Sequence, residues 1–147
     1  MIKIGKLADY ALLISHFMNQ VESEDKRFTN DEISDNTKLP VATVRKLLKK
    51  LVDAKIVTAY RGKHGGYHLS KPAQQISLLE IISAVEGAIS ITECATKDNV
   101  CEYSQHCSMQ TNWQSINQFL INTFKGISLD QMSHNLNESS LQVKSKY

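Results

Sequence analysis

The stretch that most constrains the fold lies between residues 29 and 69, where two short helical patterns precede two short strand patterns. Thr29 and Glu32 form a capping box, in which hydroxyl and carboxylate bind exposed amides reciprocally, and a helix to about Asn36 is predicted. Pro40 suits the first position of the next helix, so the two helices meet at a tight turn and form a helix-turn-helix. The core-facing residues of the second helix recur at helical spacing and are Val44, Leu47, Leu48, Leu51 and Val52.

A glycine-rich turn at residues 62–66 separates two strand patterns, at residues 56–61 and 67–69. Glycines accept the positive φ that hairpin turns need, so this segment predicts a β-hairpin. A hairpin directly after a helix-turn-helix is a wing. The predicted fold class is therefore mainly α with a small β-hairpin, a winged helix-turn-helix with a long C-terminal dimerisation helix.

Positive charge is concentrated in the same part of the chain. Residues 38–71 hold nine lysines and arginines and one aspartate, a net charge of +8, whereas the whole chain carries +2, which leaves −6 elsewhere. A run of basic residues is usually only a solvent-exposed surface of a helix or loop. Here the positive charge coincides with a helix-turn-helix and a wing, and this uneven distribution of charge indicates phosphate binding. The predicted partner is a double-stranded DNA operator.

The basic residues of the second helix are assigned by their place along it. Arg45 and Lys46, near its start, should face base edges, since arginine suits bidentate readout of guanine. Thr43 would add a hydroxyl or methyl contact, and Lys49 and Lys50 would meet phosphates. In the wing, DNA contacts are expected from Arg61 in the minor groove and from Lys63 and His64 on the backbone.

All three cysteines of the chain, Cys94, Cys101 and Cys107, lie in one polar stretch with the spacing Cys-x6-Cys-x5-Cys. An odd count argues against a closed disulfide framework, and the spacing lacks the cysteine knuckle of structural zinc sites. Three thiolates with a fourth ligand still to be supplied suit an iron–sulfur cluster better. The alternative is three unrelated loop cysteines.

The remaining helices are predicted from the same signals. An amphipathic helix spans about residues 4–20, and a second capping box at Ser77 and Glu80 opens a helix ending at Gly87. A long helix follows the cysteines, with apolar residues at Met109, Trp113, Ile116, Leu120 and Phe124. Its wide stripe predicts a homodimer interface, although a tryptophan at helical spacing is also typical of a core.

Three parts of the chain are distinguished. Residues 1–75 are the predicted DNA-binding domain, residues 76–132 the cluster loop and dimerisation helix, and residues 133–147 a disordered tail. No run approaches the ~18 apolar residues of a membrane span. The charged N-terminus and free cysteines indicate a cytoplasmic protein without a signal peptide. No nucleophile–base pair or phosphate-cradling loop supports an enzyme.

Several segments, taken in order, carry a resemblance to a known family. They are residues 6–12, 44–51, 61–67, 79–82 and 86–87, followed by the cysteine triplet. The chain resembles the iron–sulfur transcription regulators that include IscR and NsrR, and residues 91–94 and 112–117 look closest to the SUF-system branch. The resemblance implies a repressor of the genes that assemble iron–sulfur clusters. Its affinity for DNA would depend on its own 4Fe-4S or 2Fe-2S cluster, bound by Cys94, Cys101 and Cys107.

The fourth ligand departs from part of that family. IscR-type members carry a histidine three residues beyond the last cysteine, where this chain has Gln110. NsrR-type members use an acid of the first helix that reaches the partner's cluster, and Asp9 matches its context. The resemblance thus favours Asp9, with His106 and Glu102 as alternatives. Competing functions are a nitric-oxide- or thiol-redox-responsive regulator of the same fold and, less favoured, a cluster-bearing redox protein.

Overall fold

The computed structural model describes residues 3–20, 26–95, 101–103, 106–134 and 136. Within these residues the chain forms six α-helices and one two-stranded antiparallel sheet. The elements are α1 Lys6–Asn19, α2 Asn30–Thr37, α3 Val41–Asp53, β1 Val57–Tyr60, β2 Gly66–Leu69, α4 Leu78–Glu86, α5 Gln110–Gly126 and α6 Leu129–Ser133. Short 3-10 turns lie at Ala73–Gln75 and Glu93–Ala95. In this part of the chain no helix is both long and apolar enough to cross a bilayer.

Helix α1 is central to the core and packs against α2, α3, α4 and α6. Its inward face is made of small and branched side chains, with Ala8, Ala11 and Ile14 almost fully buried. Ser15 is also buried, and its hydroxyl donates a 2.8 Å hydrogen bond to the carbonyl of Ala11. This internal bond satisfies the one polar group on that face and lets neighbouring helices approach closely.

The predicted helix-turn-helix is formed by α2 and α3. The capping box is present, because the Glu32 amide donates to Thr29 Oγ1 at 3.2 Å and the Thr29 amide donates to Glu32 Oε2 at 2.7 Å. The Thr29 amide bond holds the pKa of the Glu32 carboxyl below its usual value, with smaller effects from burial and neighbours. Pro40 is the N-cap rather than the first helical residue of α3.

The wing is a hairpin with a third short segment beside it. In register, Val57 pairs with Leu69 and Tyr60 with Gly66, and the 61–65 turn lies between the strands. Phe28 and Tyr67 exchange two backbone hydrogen bonds of 2.9 Å, which joins the segment before α2 to the outer side of β2. The hairpin is therefore attached to the helix-turn-helix from both sides.

Helices α4 and α6 complete the same hydrophobic core. Leu78, Ile81 and Ile82 of α4 and Leu129 of α6 belong to the cluster of buried side chains that includes α1 and α3. The division of the chain after residue 75 stays a prediction. The predicted tail at 133–147 lies almost entirely outside the described residues, and α6 ends inside it at Ser133.

Candidate nucleic-acid interface and cysteine loop

Apart from Lys50, the predicted DNA-contacting residues of α3 lie on its outward face. Arg45, Lys46 and Lys49 are exposed, and Thr43 is half-buried on the same turn as the first two. The opposite face buries Val44, Leu47, Leu48 and Leu51, so the helix cannot rotate without exposing them. The core thus fixes which basic side chains the helix presents to solvent.

The wing presents a second exposed basic group. Arg61, Lys63 and His64 are all exposed, in a turn closed by a 2.9 Å hydrogen bond from the Gly65 amide to the Gly62 carbonyl. Gly65 is required there, because a Cβ would come within 2.9 Å of the Gly62 carbonyl oxygen. The turn therefore carries its three polar side chains on a compact backbone.

Lys50 is placed differently from the other lysines of α3. Its side chain is half-buried, and Nζ donates a 2.9 Å hydrogen bond to the carbonyl oxygen of Val85 in the last turn of α4. A cation at a helix C-terminus is stabilised by the exposed carbonyls there. The phosphate contact predicted for Lys50 stays a prediction, and this bond connects α3 with α4.

Both ends of the cysteine stretch are held against α5. Cys94 is buried, its Sγ lies 3.3 Å from Thr92 Oγ1, and its carbonyl accepts a 3.3 Å hydrogen bond from Gln114 Nε2. Cys107 is half-buried just before α5, and its carbonyl accepts a bond from the Gln110 amide at 3.4 Å. Cys94 is therefore attached to the second turn of α5, and Cys107 lies beside its first turn.

Asn117 is the only buried residue of α5 and fixes the approach to Cys94. Its Oδ1 accepts a 3.1 Å hydrogen bond from the Ile91 amide, and its Nδ2 donates to the Ile89 carbonyl at 3.4 Å. One amide side chain thus satisfies a donor and an acceptor of the same backbone segment. The role of Asn117 was not predicted, because a side-chain amide that pairs with distant backbone groups leaves no pattern in the sequence.

The fourth-ligand candidates are all exposed. Asp9 lies in the first turn of α1 beside a shallow groove between α1 and α4, whose walls include Leu12 and Ile82. Glu102 and His106 lie in the cysteine stretch. Within the described residues of a single chain, no three cysteine, histidine or acidic side chains come close enough to hold a metal ion. Residues 96–100 and 104–105, between the cysteines, are outside those residues.

The exposed side of α5 and the residue that caps its N-terminus carry four large apolar side chains. Met109, Trp113, Ile116 and Phe119 are 56%, 40%, 47% and 55% exposed, respectively. Leu120 and Phe124, predicted in the same stripe, are instead half-buried, and Phe124 packs against the chain's own core. The helix therefore uses its apolar residues on two faces, and Phe119, which the sequence stripe omitted, belongs to the outer one.

Comparison with known proteins agrees with this geometry. The profile of the Rrf2 family, described as an iron-dependent transcriptional regulator, matches residues 4–135. A Neisseria meningitidis protein whose name describes it as a helix-turn-helix-type transcriptional regulator is 33% identical over 94 residues, which are 64% of this chain and 62% of that protein. The regulator NsrR of Oceanobacillus iheyensis is 29% identical over 125 residues, covering 84% and 82% of the two chains.

Solved structures share the fold. The global cysteine regulator CymR of B. subtilis superimposes with a TM-score of 0.70 at 23% identity, covering 90% of this chain and 97% of that one. IscR of T. potens gives 0.67 at 18% identity, covering 89% and 85%. The predicted fold class is confirmed as mainly α with one hairpin, matching winged-helix regulators. The matching family consists of transcriptional regulators, so the prediction that the chain is not an enzyme is also confirmed.

Proposed function

We propose that this chain, which belongs to the Rrf2 family of iron-dependent transcriptional regulators, is a homodimeric repressor whose DNA affinity is set by an iron–sulfur cluster. Transcription regulation and DNA binding follow from the family. The observation that carries the finer proposal is the combination of two features on one fold. The first is the exposed basic surface formed by α3 and the wing. The second is the three-cysteine stretch attached to α5, a helix whose outer face carries exposed apolar side chains.

The DNA contacts are divided between helix and wing. Arg45 and Lys46 read base edges in the major groove, with Thr43 beside them, while Lys49 and Lys50 contact phosphates. Lys50 can do so only by leaving its bond to the Val85 carbonyl. Arg61 enters the minor groove, where a narrow groove attracts guanidinium, and Lys63 and His64 grip the backbone.

Three free thiols on one stretch have the donor chemistry for an iron–sulfur cluster, so the residues fit that group. Cys94, Cys101 and Cys107 would supply thiolates, and Asp9 of the second copy would complete the set, with His106 and Glu102 as alternatives. A cluster with an oxygen ligand supplies a group that oxygen, nitric oxide or iron shortage can remove. The hydrogen bond from Gln114 to the Cys94 carbonyl supports this assignment, because it attaches one ligand residue to α5, the proposed dimerisation helix.

A contact path supports coupling between the two sites. Asn117 holds residues 89–91, which follow α4, and Lys50 of α3 binds the last turn of α4. Gly5, before α1, faces Glu86 at the same helix end, so closely that a Cβ there would overlap the Glu86 carboxylate. A change in the cysteine stretch can therefore reach α3 and α1 through the end of α4. The regulated genes would be those that build iron–sulfur clusters in the cytoplasm.

A second candidate is a regulator of the same fold in which the cysteines sense thiol oxidation or nitric oxide without a cluster. One observation favours it, namely that a single chain does not bring the three thiols together within the described residues. A cluster-free regulator would keep the DNA contacts and the dimer and would bind no iron.

The test of DNA binding begins with selection of duplexes from a randomised pool by anaerobically purified protein. Arg61→Ala should weaken binding to the selected duplex by about 1–3 kcal/mol. Lys49→Ala should lower affinity for all duplexes alike and reduce the salt slope by about one. Failure of the wild-type protein to enrich any duplex would contradict the proposal.

A further inference from the structure

One side chain outside the predicted DNA surface contacts both ends of the wing turn. The Arg27 guanidinium carbon lies 3.9 Å from the centroid of the Tyr60 ring, and Nη1 donates a 3.1 Å hydrogen bond to the carbonyl oxygen of His64. Tyr60 immediately precedes Arg61, and His64 immediately follows Lys63. A single guanidinium thus holds the chain on either side of the two wing cations.

Other contacts hold both the Arg27 backbone and the Tyr60 ring in place. Arg27 precedes Phe28, whose two 2.9 Å backbone bonds to Tyr67 attach the segment to β2. Gly66 allows this close approach, because at its φ of +142° a Cβ would lie 2.9 Å from the Phe28 carbonyl oxygen. The Tyr60 ring is held on its strand by His68, which stacks on it at 5.2 Å and lies 3.1 Å from its hydroxyl.

We propose that Arg27 is a positioning residue for DNA recognition, which clamps the wing turn in the shape that directs Arg61 into the groove. The inference rests on the proposed function, in which the wing binds DNA. Arginine suits this task because its planar group stacks on an aromatic ring while its N–H groups still donate in the plane. A lysine keeps the charge but cannot make both contacts in that arrangement.

The clamp should affect specific binding more than general attraction to DNA. Residues 61–64 are exposed, so without Arg27 few contacts would hold the turn in one conformation. The turn would then have to be ordered when a specific site is bound, and this loss of conformational entropy lowers the affinity for that site. Binding to an arbitrary duplex depends on charge, which Arg27→Lys leaves unchanged. The expected signature is therefore a loss of discrimination without a change in salt dependence.

The experiment compares wild-type protein, Arg27→Lys and the matched control Lys26→Arg, a charge-preserving exchange at the neighbouring exposed position. Each is titrated with a duplex selected by the wild type and with a random duplex of equal length, over a range of salt. Arg27→Lys should weaken binding to the selected duplex about five- to fiftyfold, with random binding and salt slope unchanged. Lys26→Arg should change neither affinity.

A second comparison shows whether Arg27 acts through the wing. In an Arg61→Ala background, Arg27→Lys should have almost no further effect on the selected duplex. The inference is overturned if Arg27→Lys weakens both duplexes equally, or if its effect is undiminished in that background. Equal thermal midpoints for the variants exclude a folding defect. If the wild type selects no duplex at all, the proposed function fails and this inference fails with it.

Discussion

Shortening Phe119 to alanine tests the homodimer through the outer face of α5. Phe119 is 55% exposed in the single chain, and full burial of such a side chain contributes about 1.5–3 kcal/mol. Burying the exposed part in a dimer is therefore worth roughly 1–1.5 kcal/mol per copy, or about 2–3 kcal/mol across a twofold interface. That loss corresponds to a dissociation constant raised about 30- to 150-fold.

The assay is sedimentation equilibrium of wild-type protein, Phe119→Ala and the control Gln118→Ala. Gln118 is exposed on the same helix, where its amide donates a hydrogen bond to Asn122 Oδ1 in the neighbouring turn. Gln118→Ala should leave the dissociation constant within about twofold of wild type, because surface substitutions away from contacts have small effects. Equal effects of the two substitutions, or a wild-type monomer at micromolar concentration, would refute the assignment of this face to the dimer.

Three further predictions concern the cysteine stretch and the core. Asn117→Ala should lower the free energy of unfolding in urea by about 1–3 kcal/mol, because it leaves the partly buried backbone groups of Ile89 and Ile91 without their side-chain partner; a change below about 0.3 kcal/mol would show that water replaces the amide. Asp9→Ala should shorten the lifetime of the visible absorption in air without abolishing it, whereas loss of absorption only in His106→Ala would assign the fourth ligand to the histidine. Burial raises the pKa of the Glu80 carboxyl, but hydrogen bonds from Lys71 and Ser77 outweigh it and leave the pKa below the usual value. Its stabilisation is therefore complete above the usual glutamate pKa of about 4.3 and is lost as the pH falls through the lowered value. Glu80→Gln should lower the free energy of unfolding by less than about 1 kcal/mol at pH 7, because both side chains of the Lys71–Glu80 ion pair are over a third exposed. If the variant is still less stable than the wild type in thermal melts at pH 3, the ion pair is not the cause.

Local signals in the sequence predict most of the fold. Capping boxes at Thr29 and Ser77 mark where α2 and α4 begin, and both are present in the structure. Such signals work because a cap and its amides lie within one turn of each other. The glycine-rich turn predicts the hairpin for the same reason, since positive φ is decided residue by residue.

The contacts that connect distant parts of the chain had no such signal. Arg27 and His64 are 37 residues apart, Lys50 and Val85 35, and Asn117 and Ile89 28. In each pair a polar side chain binds a backbone group, which any residue type provides, so the sequence of the partner carries no information. Tertiary packing brings these groups together: the Phe28–Tyr67 bridge beside the wing for Arg27, the packing of α3 on α4 for Lys50, and that of α5 on α4 for Asn117.

The most direct test of the central claim is DNA affinity measured with and without the cluster on the same protein. Anaerobically purified protein is assayed for iron, acid-labile sulfide and visible absorption, and is titrated with its selected duplex before and after treatment with a chelator that removes iron. We expect bound iron and sulfide that require Cys94, Cys101 and Cys107, and an affinity for the duplex that changes at least tenfold when the cluster is removed. Protein without iron, or with the same affinity in both states, would contradict it.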